Sequence, residues 1–416
     1  MAKTTPPLRL THRLWRMLPA GPRRRALASA TAMVAPRPER VPAAPRLGLI
    51  VAGELSRPSG LGESARLMLS ALAGMGVAAT PIDLGDPASP RRGGARPRPR
   101  MAIPAAGMPL VMHVNAPLMP LALLRMPRRM IHGRRVIGYW AWELPTMPQA
   151  WRLGLQFVHE VWVLSAFTAA AVTTMLPPGS SIKVVAVPPP LAITPPVPSR
   201  LGRAEFGLPD NAVITLVSFS LASSFARKNP LAAIAAHRAA FANRPDRILL
   251  VKVTHAELFP HDYAVLRAAA RGMDNIRFEI RSFSPGDRHA LTACADIVLS
   301  LHRSEGLGLV PAEAMLLGVP VVATGWSATT EFMDASSARM VAFRLIPAVD
   351  PRGVFQAPGA VWADADIDDA ADHLRTLALD PALRQSLGQA GRRMAAEKLG
   401  DARLRQAVRA LGLPFA

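Results

Sequence analysis

The sequence predicts an α/β protein made of two doubly wound, Rossmann-like domains that face each other across a cleft. Short apolar runs, each followed by a turn and a helical pattern, recur at intervals of roughly 20 to 30 residues, the spacing of repeated βα units. The series is interrupted between residues 188 and 209 by a proline-dense stretch that is typical of an interdomain linker. A chain of 416 residues is also too long for one ordinary domain.

The first domain is predicted over residues 46–190. Its opening strand is 46–52, and a glycine turn at 60–64 leads into a helix whose apolar positions follow the spacing of a helix packed on a sheet. Further elements are predicted as strands at 110–114, 135–139, 160–164 and 182–187 and a helix at 166–175. The segment 87–109 is rich in proline and arginine and is predicted to be an inserted loop.

The second domain is predicted over residues 210–380, after a linker at 191–209. Its strands are predicted at 213–218, 248–253, 276–279, 297–301 and 319–323. Residues 381–416 are rich in strong helix formers and are predicted to be C-terminal helices. Whether these helices pack back on the first domain stays open.

Composition bounds the class of protein and its partners. Half of the residues are apolar and only 19% are charged, which excludes a largely disordered chain. The net charge of +20 comes almost entirely from arginine and favours anionic partners such as nucleotide phosphates, acidic lipid surfaces or nucleic acid. The single cysteine, Cys294, cannot form an internal disulfide, so a reducing compartment is expected.

Residues 1–45 are rich in proline, arginine and alanine without a sustained period, and we interpret them as a basic disordered arm. The arm is either a solvated tail or a contact with a membrane surface or nucleic acid. No apolar run reaches the ~18 residues of a transmembrane helix, and no secretory signal pattern is evident. We therefore expect a cytoplasmic protein, with peripheral attachment to the inner face of the plasma membrane as an open alternative.

The most informative chemistry lies in the ten residues from Ser304 to Glu313. A predicted strand ends just before them, and the glycines Gly306 and Gly308 precede Pro311, which suits the first turn of a helix. Such a glycine loop places free backbone N–H groups and a helix N-terminus at the edge of the sheet. This arrangement is suited to an anion such as a diphosphate.

Two acids and two cations complete this predicted site. Glu305 lies beside the glycine loop and Glu313 in the first helical turn, where either carboxylate can accept hydrogen bonds from vicinal hydroxyls of a ribose or hexose. Arg227 and Lys228 follow the first strand of the second domain and are expected to meet the loop across the sheet edge. There they would neutralise a diphosphate and stabilise it as a leaving group.

With these residues in place, the sequence resembles glycosyltransferase family 4, the group 1 glycosyltransferases of the GT-B class. Glu305 and Glu313 match the E-x7-E motif of the family, and residues 227–230 match its basic phosphate-binding segment. The segments 60–66 and 138–145 are similar to one bacterial subgroup. The resemblance covers about residues 46–395 and is most specific over 218–332.

The resemblance implies roles for several residues. Glu313 would bind the nucleotide ribose, Glu305 would lie by the donor sugar, and Arg227 and Lys228 would bind the diphosphate. The implied donor-site loop consists of Ser304, Gly306, Leu307, Gly308 and Leu309, with the amides of 307–309 assisting. From the first domain, Gly62 would approach the donor phosphates.

The group that acts on the acceptor side is less well defined. The family often has a histidine near the reaction centre, but the equivalent strand end here holds Trp142 and Glu143. Glu143 is the candidate catalytic group, against a purely structural role. His113 is a weaker candidate that is better interpreted as a core histidine. The aromatic residues around Trp142 are expected either to line an acceptor pocket or to pack.

Neither a metal nor another cofactor is predicted. Asp364 and Asp366 resemble the metal-binding D-x-D of an unrelated transferase class, but they precede a predicted helix and are better interpreted as N-capping acids. The nucleotide sugar implied by the family is a substrate.

The function predicted from these observations is a metal-independent, hexosyltransferase-like, retaining glycosyltransferase. It would move a sugar from a nucleotide-diphosphate donor to a glycan or lipid-linked acceptor in polysaccharide biosynthesis, with an anionic membrane surface as a further partner. The alternatives are a basic nucleic-acid-binding protein, an inactive partner protein with a GT-B fold, and a phosphorylase or epimerase of this fold. Nucleic acid is disfavoured because the clustered arginines lack interleaved aromatic residues.

Overall fold

The computed structural model describes residues 20–46, 48–86, 104–355 and 357–414. Within them the chain forms two six-stranded parallel sheets, which confirms the predicted α/β class with two doubly wound units. The strands of the first sheet are β1 (Leu49–Gly53), β2 (Ala79–Asp83), β3 (Leu110–Met112), β4 (Val136–Trp140), β5 (Glu160–Val163) and β6 (Lys183–Ala186). Their order across the sheet is β2-β1-β3-β4-β5-β6.

The second sheet repeats this plan. Its strands are β7 (Val213–Ser220), β8 (Arg247–Thr254), β9 (Ile276–Glu279), β10 (Ile297–Ser300), β11 (Val321–Thr324) and β12 (Arg339–Val341), in the order β12-β11-β10-β7-β8-β9. A separate antiparallel hairpin follows, made of β13 (Phe343–Pro347) and β14 (Val361–Ala365). Because the strands of each six-stranded sheet are parallel, the loops after them meet at one edge, where ligands bind in this class of fold.

Helices cover both sheets and are numbered here in chain order. They are α1 (Ala20–Val34), α2 (Gly60–Gly74), α3 (Met119–Leu123), α4 (Ala166–Thr173), α5 (Phe225–Lys228), α6 (Pro230–Phe241), α7 (Pro260–Ala269), α8 (Pro285–Ala293), α9 (Leu309–Leu316), α10 (Ile367–Leu379), α11 (Pro381–Lys398) and α12 (Ala402–Ala410). Short 3₁₀ turns lie at Ala116–Leu118, Arg128–Met130, Gln149–Phe157 and Ala328–Glu331. In the described part of the chain, none of these helices is both long and apolar enough to cross a membrane.

The structure differs from the expected basic arm over residues 20–46. Helix α1 is alanine-rich, and alanine has the highest intrinsic helix propensity. Its small side chains Ala28 and Ala32 are buried, Ala32 within the apolar cluster of the first domain. Residues 1–19 of the expected arm, and residues 87–103 of the expected inserted loop, lie outside the described residues.

The C-terminal helices and the linker lie against each other. Leu404 and Val408 of α12 belong to the same apolar cluster as Leu67 and Met68 of α2. The linker residue Ala192 donates its backbone N–H to the carbonyl of Leu399 at the end of α11, at 3.0 Å. The C-terminal helices thus share a core with the first domain.

Candidate functional site

The glycine loop lies between β10 and α9, as the sequence predicts. Gly308 is the residue before α9 and has a φ of +95°, a conformation that strongly favours glycine. Gly306 has a different reason to lack a side chain, since a Cβ there would come 2.5 Å from the carbonyl oxygen of Trp142 in the first domain. Helix α9 begins at Leu309, so Pro311 is in its first turn, whereas Glu313 is in the second turn rather than the predicted first.

Arg227 and Lys228 meet the loop as predicted, and Glu305 holds both of them. The Nη1 atom of Arg227 is 3.0 Å from Oε2 of Glu305, and Lys228 pairs with the other carboxylate oxygen. Arg227 also donates to the carbonyl of Ser304 at 2.7 Å. The sequence therefore brings four of its predicted site residues into one buried, charged cluster.

Local structure fixes the two cations. They end the four-residue helix α5, whose first turn is capped by the Ser224 hydroxyl. Asn229 then adopts a left-handed conformation with φ of +51°, and its amide donates to the carbonyl of Leu301 at 3.1 Å. Pro230 starts the next helix, α6. This turn aims the two basic side chains back toward the loop that follows β10.

Electrostatics keep Glu305 ionised. Burial alone would raise the pKa of its carboxyl, but the charges of Arg227 and Lys228 outweigh burial and lower this pKa well below its usual range. Burial by itself would lower the pKa of the Arg227 guanidinium. The neighbouring carboxylates of Glu305 and Glu143 outweigh this effect, so the pKa is raised. The cluster therefore holds its charges at neutral pH.

Glu143 lies at the end of the first-domain sheet and faces the same cluster. Its Oε1 atom is 3.7 Å from Nη2 of Arg227. Burial raises the pKa of the Glu143 carboxyl, and the nearby Arg227 only partly opposes this. The backbone of Glu143 also contacts the loop, because its carbonyl accepts a hydrogen bond from the Ser304 hydroxyl. A first-domain carboxyl thus stands beside the second-domain cations.

Glu313 has its own side-chain partners, which sequence reasoning missed. Its Oε1 atom is 3.2 Å from Nη2 of Arg288 and 3.7 Å from Nε2 of His289. Both partners lie on α8, the neighbour of α9 in the second domain. The motif around Glu313 carries no signal for them, because the contact depends on how two helices pack. Glu305 and Glu313 therefore belong to two separate clusters of polar side chains, one at the loop before α9 and one on the second turn of that helix.

Gly62 lies in the first turn of α2, after the first strand of the first domain. Its N–H donates to the Ser59 hydroxyl at 3.1 Å. A Cβ at this position would come 2.5 Å from the carbonyl oxygen of Glu54, so the turn between β1 and α2 requires a glycine here. This close packing is a structural reason for Gly62 that is independent of any ligand.

The aromatic residues at the end of β4 and just after it pack in the core and do not line an open pocket. Tyr139, Trp140 and Trp142 are all buried. His113 is also fully buried and stacks on Tyr139 with ring centroids 4.1 Å apart. It is the core histidine that was expected, but within the described chain neither ring nitrogen has a hydrogen-bond partner. Burial lowers its pKa to about 3, which keeps the ring neutral.

The two aspartates that resemble a metal motif have different roles. Asp366 caps α10 as expected, accepting hydrogen bonds from the N–H groups of Asp368 and Asp369. Asp364 lies in β14 instead and pairs with Arg303 and Arg344, so it is not an N-capping acid. Across the described ranges there is no group of three or more His, Cys, Asp or Glu side chains placed to hold a metal ion.

Comparison with known proteins bears on the second domain most directly. Residues 223–364 match the family model of "Glycosyl transferases group 1". This segment contains Arg227, Lys228, the whole glycine loop, Glu313 and all of the β13–β14 hairpin except its last residue, Ala365. No curated protein matches the sequence.

Solved structures match over nearly the whole chain. A glycosyltransferase from Rickettsia africae is 13% identical, covers 88% of this chain and 98% of its own length, and has a TM-score of 0.58. HepE from Anabaena, solved with UDP and glucose, is 12% identical with 88% and 100% coverage and a TM-score of 0.56. WaaG, a glycosyltransferase involved in lipopolysaccharide biosynthesis, is 16% identical with 87% and 98% coverage and a TM-score of 0.52.

These likenesses extend across both domains, and at such low identity they show the fold. The order of the strands in the two parallel sheets and the cluster at their facing edges agree with it. The chain has the GT-B fold, and its residues 223–364 match the family model of the group 1 glycosyltransferases.

Proposed function

We propose that the protein is a retaining glycosyltransferase that moves a hexosyl group from a nucleotide-diphosphate sugar to a glycan or lipid-linked acceptor. One observation carries this proposal. Arg227 is buried and Lys228 half-buried at the glycine loop before α9, where the two domains meet, and both are paired there with Glu305. Two fixed cations beside the amides of residues 307–309 form a site for a diphosphate at a helix N-terminus.

The diphosphate would take over the cations that Glu305 now holds. As the bond between the anomeric carbon and the diphosphate oxygen breaks, the electron pair stays on that oxygen, and Arg227 and Lys228 stabilise the charge. The acceptor hydroxyl attacks from the face that the diphosphate leaves, which retains the configuration. Its proton passes to the departing phosphate oxygen. The released Glu305 carboxylate is placed to accept hydrogen bonds from sugar hydroxyls.

Glu313 is proposed to hold the ribose. Glu313 lies in the second turn of α9, one turn beyond the proposed phosphate-binding loop. Its two carboxylate oxygens can accept a pair of hydrogen bonds from vicinal hydroxyls. Gly62 is proposed to face the donor phosphates from the first domain. The metal-independence of the reaction follows from the same assignment, since the two basic side chains supply the charge compensation that a metal supplies in other transferases.

Glu143 is proposed as the first-domain catalytic group. Its carboxyl is 3.7 Å from the Arg227 guanidinium, and burial raises its pKa, so it is placed to relay the proton of the acceptor hydroxyl to the departing phosphate oxygen. We expect Glu143→Gln to lower kcat more than it changes donor affinity. A parallel change in kcat and KM would instead indicate a structural role.

The acceptor and location are proposed from the relatives and from charge. WaaG acts in lipopolysaccharide biosynthesis and HepE was solved with UDP and glucose, so a uridine-linked hexose and a polysaccharide or lipid-linked acceptor are the first candidates. A net charge of +20 favours an anionic bilayer surface as a partner, which supports a location at the cytoplasmic face of the membrane.

Nucleotide binding tests the proposal. Titration calorimetry with UDP, GDP and dTDP, followed by a donor-hydrolysis screen with the matching sugars, is expected to identify one preferred base. Glu313→Ala is expected to weaken nucleotide binding by about 10-fold or more, because hydrogen bonds to a charged group contribute about 1.5–3 kcal/mol. Glu397→Ala is the matched control, since Glu397 is exposed and pairs only with its neighbour Lys398 in the contacts described. Unchanged affinity in Glu313→Ala would contradict the assignment.

A further inference from the structure

The hairpin of β13 and β14 has a connecting loop, described over residues 348–355 and 357–360, that lies toward the proposed phosphate site. Asp350, at the start of this loop, is only 1% exposed. Its carboxylate accepts hydrogen bonds from the N–H groups of Val354 and Phe355, at 2.9 and 3.2 Å. The loop is therefore folded around its own buried carboxylate.

Asp350 reaches the phosphate-binding helix through one hydroxyl. The Ser224 hydroxyl donates to Oδ1 of Asp350 at 3.1 Å and accepts from the N–H of Arg227 at 3.1 Å. Because a hydroxyl has one proton, its donation to Asp350 leaves the oxygen lone pairs free for the helix cap. The carboxylate of the hairpin thus sets the orientation of the group that caps α5, the helix of Arg227 and Lys228.

Phe355 makes the second contact, directly with the Arg227 side chain. The guanidinium carbon lies 5.2 Å from the centre of the Phe355 ring, within the range of a cation–π interaction. The Ser223 hydroxyl accepts from Nη2 of Arg227 at 2.9 Å. The Nε atom of Arg227 is buried without an acceptor among the described residues, so one donor of the guanidinium is unused by the protein.

Arg352 fastens the hairpin loop to the same region. Its Nη1 atom donates to the carbonyls of Leu221 at 2.6 Å and Ser223 at 2.5 Å, in the segment that precedes α5. Its other terminal nitrogen pairs with Asp262, and the guanidinium stacks 4.1 Å above Phe259. The hairpin loop therefore contacts the chain both before and after Ser224, the residue that caps α5.

The same Phe355 ring also contacts the first domain. Its centre is 5.2 Å from that of Trp142, the residue before Glu143. Trp362 of β14 is buried in the apolar cluster of the first domain. A ring that touches both Trp142 and Arg227 links the approach of the two domains to the position of a phosphate-binding cation.

We infer that the loop of this hairpin is a positioning element for the diphosphate of the donor, with Asp350 and Phe355 as its positioning residues. This inference rests on the proposed function, because it takes Arg227 and Lys228 as the diphosphate ligands. It predicts that changes in the loop affect recognition of the second phosphate more than recognition of the nucleoside, which lies at Glu313.

The test compares a nucleoside diphosphate with the matching monophosphate by titration calorimetry, using whichever base of UDP, GDP and dTDP the wild type binds most tightly. Phe355→Leu keeps an apolar side chain but removes the aromatic face, and Asp350→Asn keeps an oxygen for Ser224 but removes the charge. Each is expected to weaken diphosphate binding by about 5- to 10-fold, consistent with the loss of one cation–π or charged hydrogen bond, and monophosphate binding by less than about 2-fold. Phe355→Tyr keeps the aromatic ring and is therefore expected to bind the diphosphate as tightly as the wild type does.

The controls separate the possible failures. Val349→Ala changes an exposed residue of the same loop and is expected to bind both nucleotides as the wild type does. If Arg227→Ala weakens diphosphate binding but neither loop variant does, the role of the hairpin is refuted and the proposed function stands. If Arg227→Ala leaves diphosphate binding unchanged, the phosphate assignment itself fails. If the loop variants weaken both nucleotides equally, together with a lower unfolding temperature, the hairpin is structural only.

Discussion

At the scale of single residues, Glu305 supplies the negative charge that balances two neighbouring cations. Its side chain is 9% exposed and holds both Arg227 and Lys228. Removal of one partner from a buried ion pair leaves uncompensated charge, which costs about 3–5 kcal/mol. We expect Glu305→Ala to lower the free energy of unfolding by about 3 kcal/mol on this basis. Denaturant unfolding at pH 7 measures the change, with Glu397→Ala as an exposed control expected to stay within about 0.5 kcal/mol.

The same variant connects stability with binding. In Glu305→Ala, inorganic pyrophosphate can supply negative charge to Arg227 and Lys228 without displacing a carboxylate, whereas in the wild type it has to displace Glu305. We therefore expect pyrophosphate to raise the unfolding temperature of Glu305→Ala more than that of the wild type. An equal rise in both proteins would show that the anion binds elsewhere.

Buried histidines give the protein a pH dependence. Burial lowers the pKa of His113 to about 3 and that of His237 and His302 to about 4, from an ordinary value of 6.5. The unfolded chain therefore binds more protons than the folded protein between about pH 6.5 and 4, so stability is full above this range and falls as the pH drops through it. We expect His113→Phe, which keeps a ring on Tyr139, to flatten this fall. Urea unfolding at pH 7, 6, 5 and 4 tests it, and an unchanged slope would exclude His113 as a contributor.

At the scale of elements, strands with a continuous apolar run were predictable, and strands without one were not. The apolar runs that form β7, β8 and β10 are continuous because both faces of a parallel sheet are covered. Strand β2 lies at a sheet edge, contains Pro81 and buries only Ile82 of its five residues, so it shows no such run. Strand β13 is exposed along most of its length and was missed for the same reason.

The residues of the candidate site likewise fall into a group that the sequence predicts and a group that it does not. Arg227, Lys228 and Glu305 were predictable because each lies next to a strand end or turn, and parallel strands bring those ends together. Arg288, Asp350 and Phe355 were not, because they reach the site through helix packing and through a hairpin that the local pattern does not reveal.

The glycine loop yields a prediction at this scale. Gly306→Ala places a Cβ 2.5 Å from the Trp142 carbonyl, so either the loop or the first domain has to shift. Misplacement by about 1 Å near a reaction centre can cost about 100-fold in rate, and we expect kcat to fall by roughly 10- to 100-fold. Steady-state kinetics with the preferred donor measures this. Gly74→Ala, where a Cβ meets nothing within 4 Å, is the matched control, and equal activity in both variants would refute a close approach of the domains during catalysis.

At the scale of the whole molecule, the two domains are held together by contacts on both sides of the cluster. Glu331 of the second domain accepts hydrogen bonds from the N–H groups of Ala166 and Phe167, at 2.9 and 2.8 Å, at the N-terminus of α4. A carboxylate at a helix N-terminus is stabilised by the free N–H groups and by the helix dipole. Phe167 also packs edge-on against Trp326, with ring centroids 5.5 Å apart. We call the hydrogen bonds of Glu331 to the N–H groups of Ala166 and Phe167 the latch. The latch lies outside the proposed donor site, so its removal changes how the two domains close on each other without removing a contact with the donor.

We expect Glu331→Ala to favour an open arrangement of the domains. The donor must then supply the free energy of closure, so its KM is expected to rise by about 5-fold or more for a loss of roughly 1 kcal/mol, while kcat at saturation changes little. Small-angle X-ray scattering is expected to show a larger radius of gyration in the variant without ligand and the wild-type value once nucleoside diphosphate is bound. Thr330→Ala, which removes an adjacent hydroxyl that bonds to the Ser327 carbonyl, serves as the control. Wild-type scattering and KM in Glu331→Ala would mean that the buried contacts of Trp142, Phe355 and Trp362 are sufficient to close the cleft, because those contacts remain when the latch is gone.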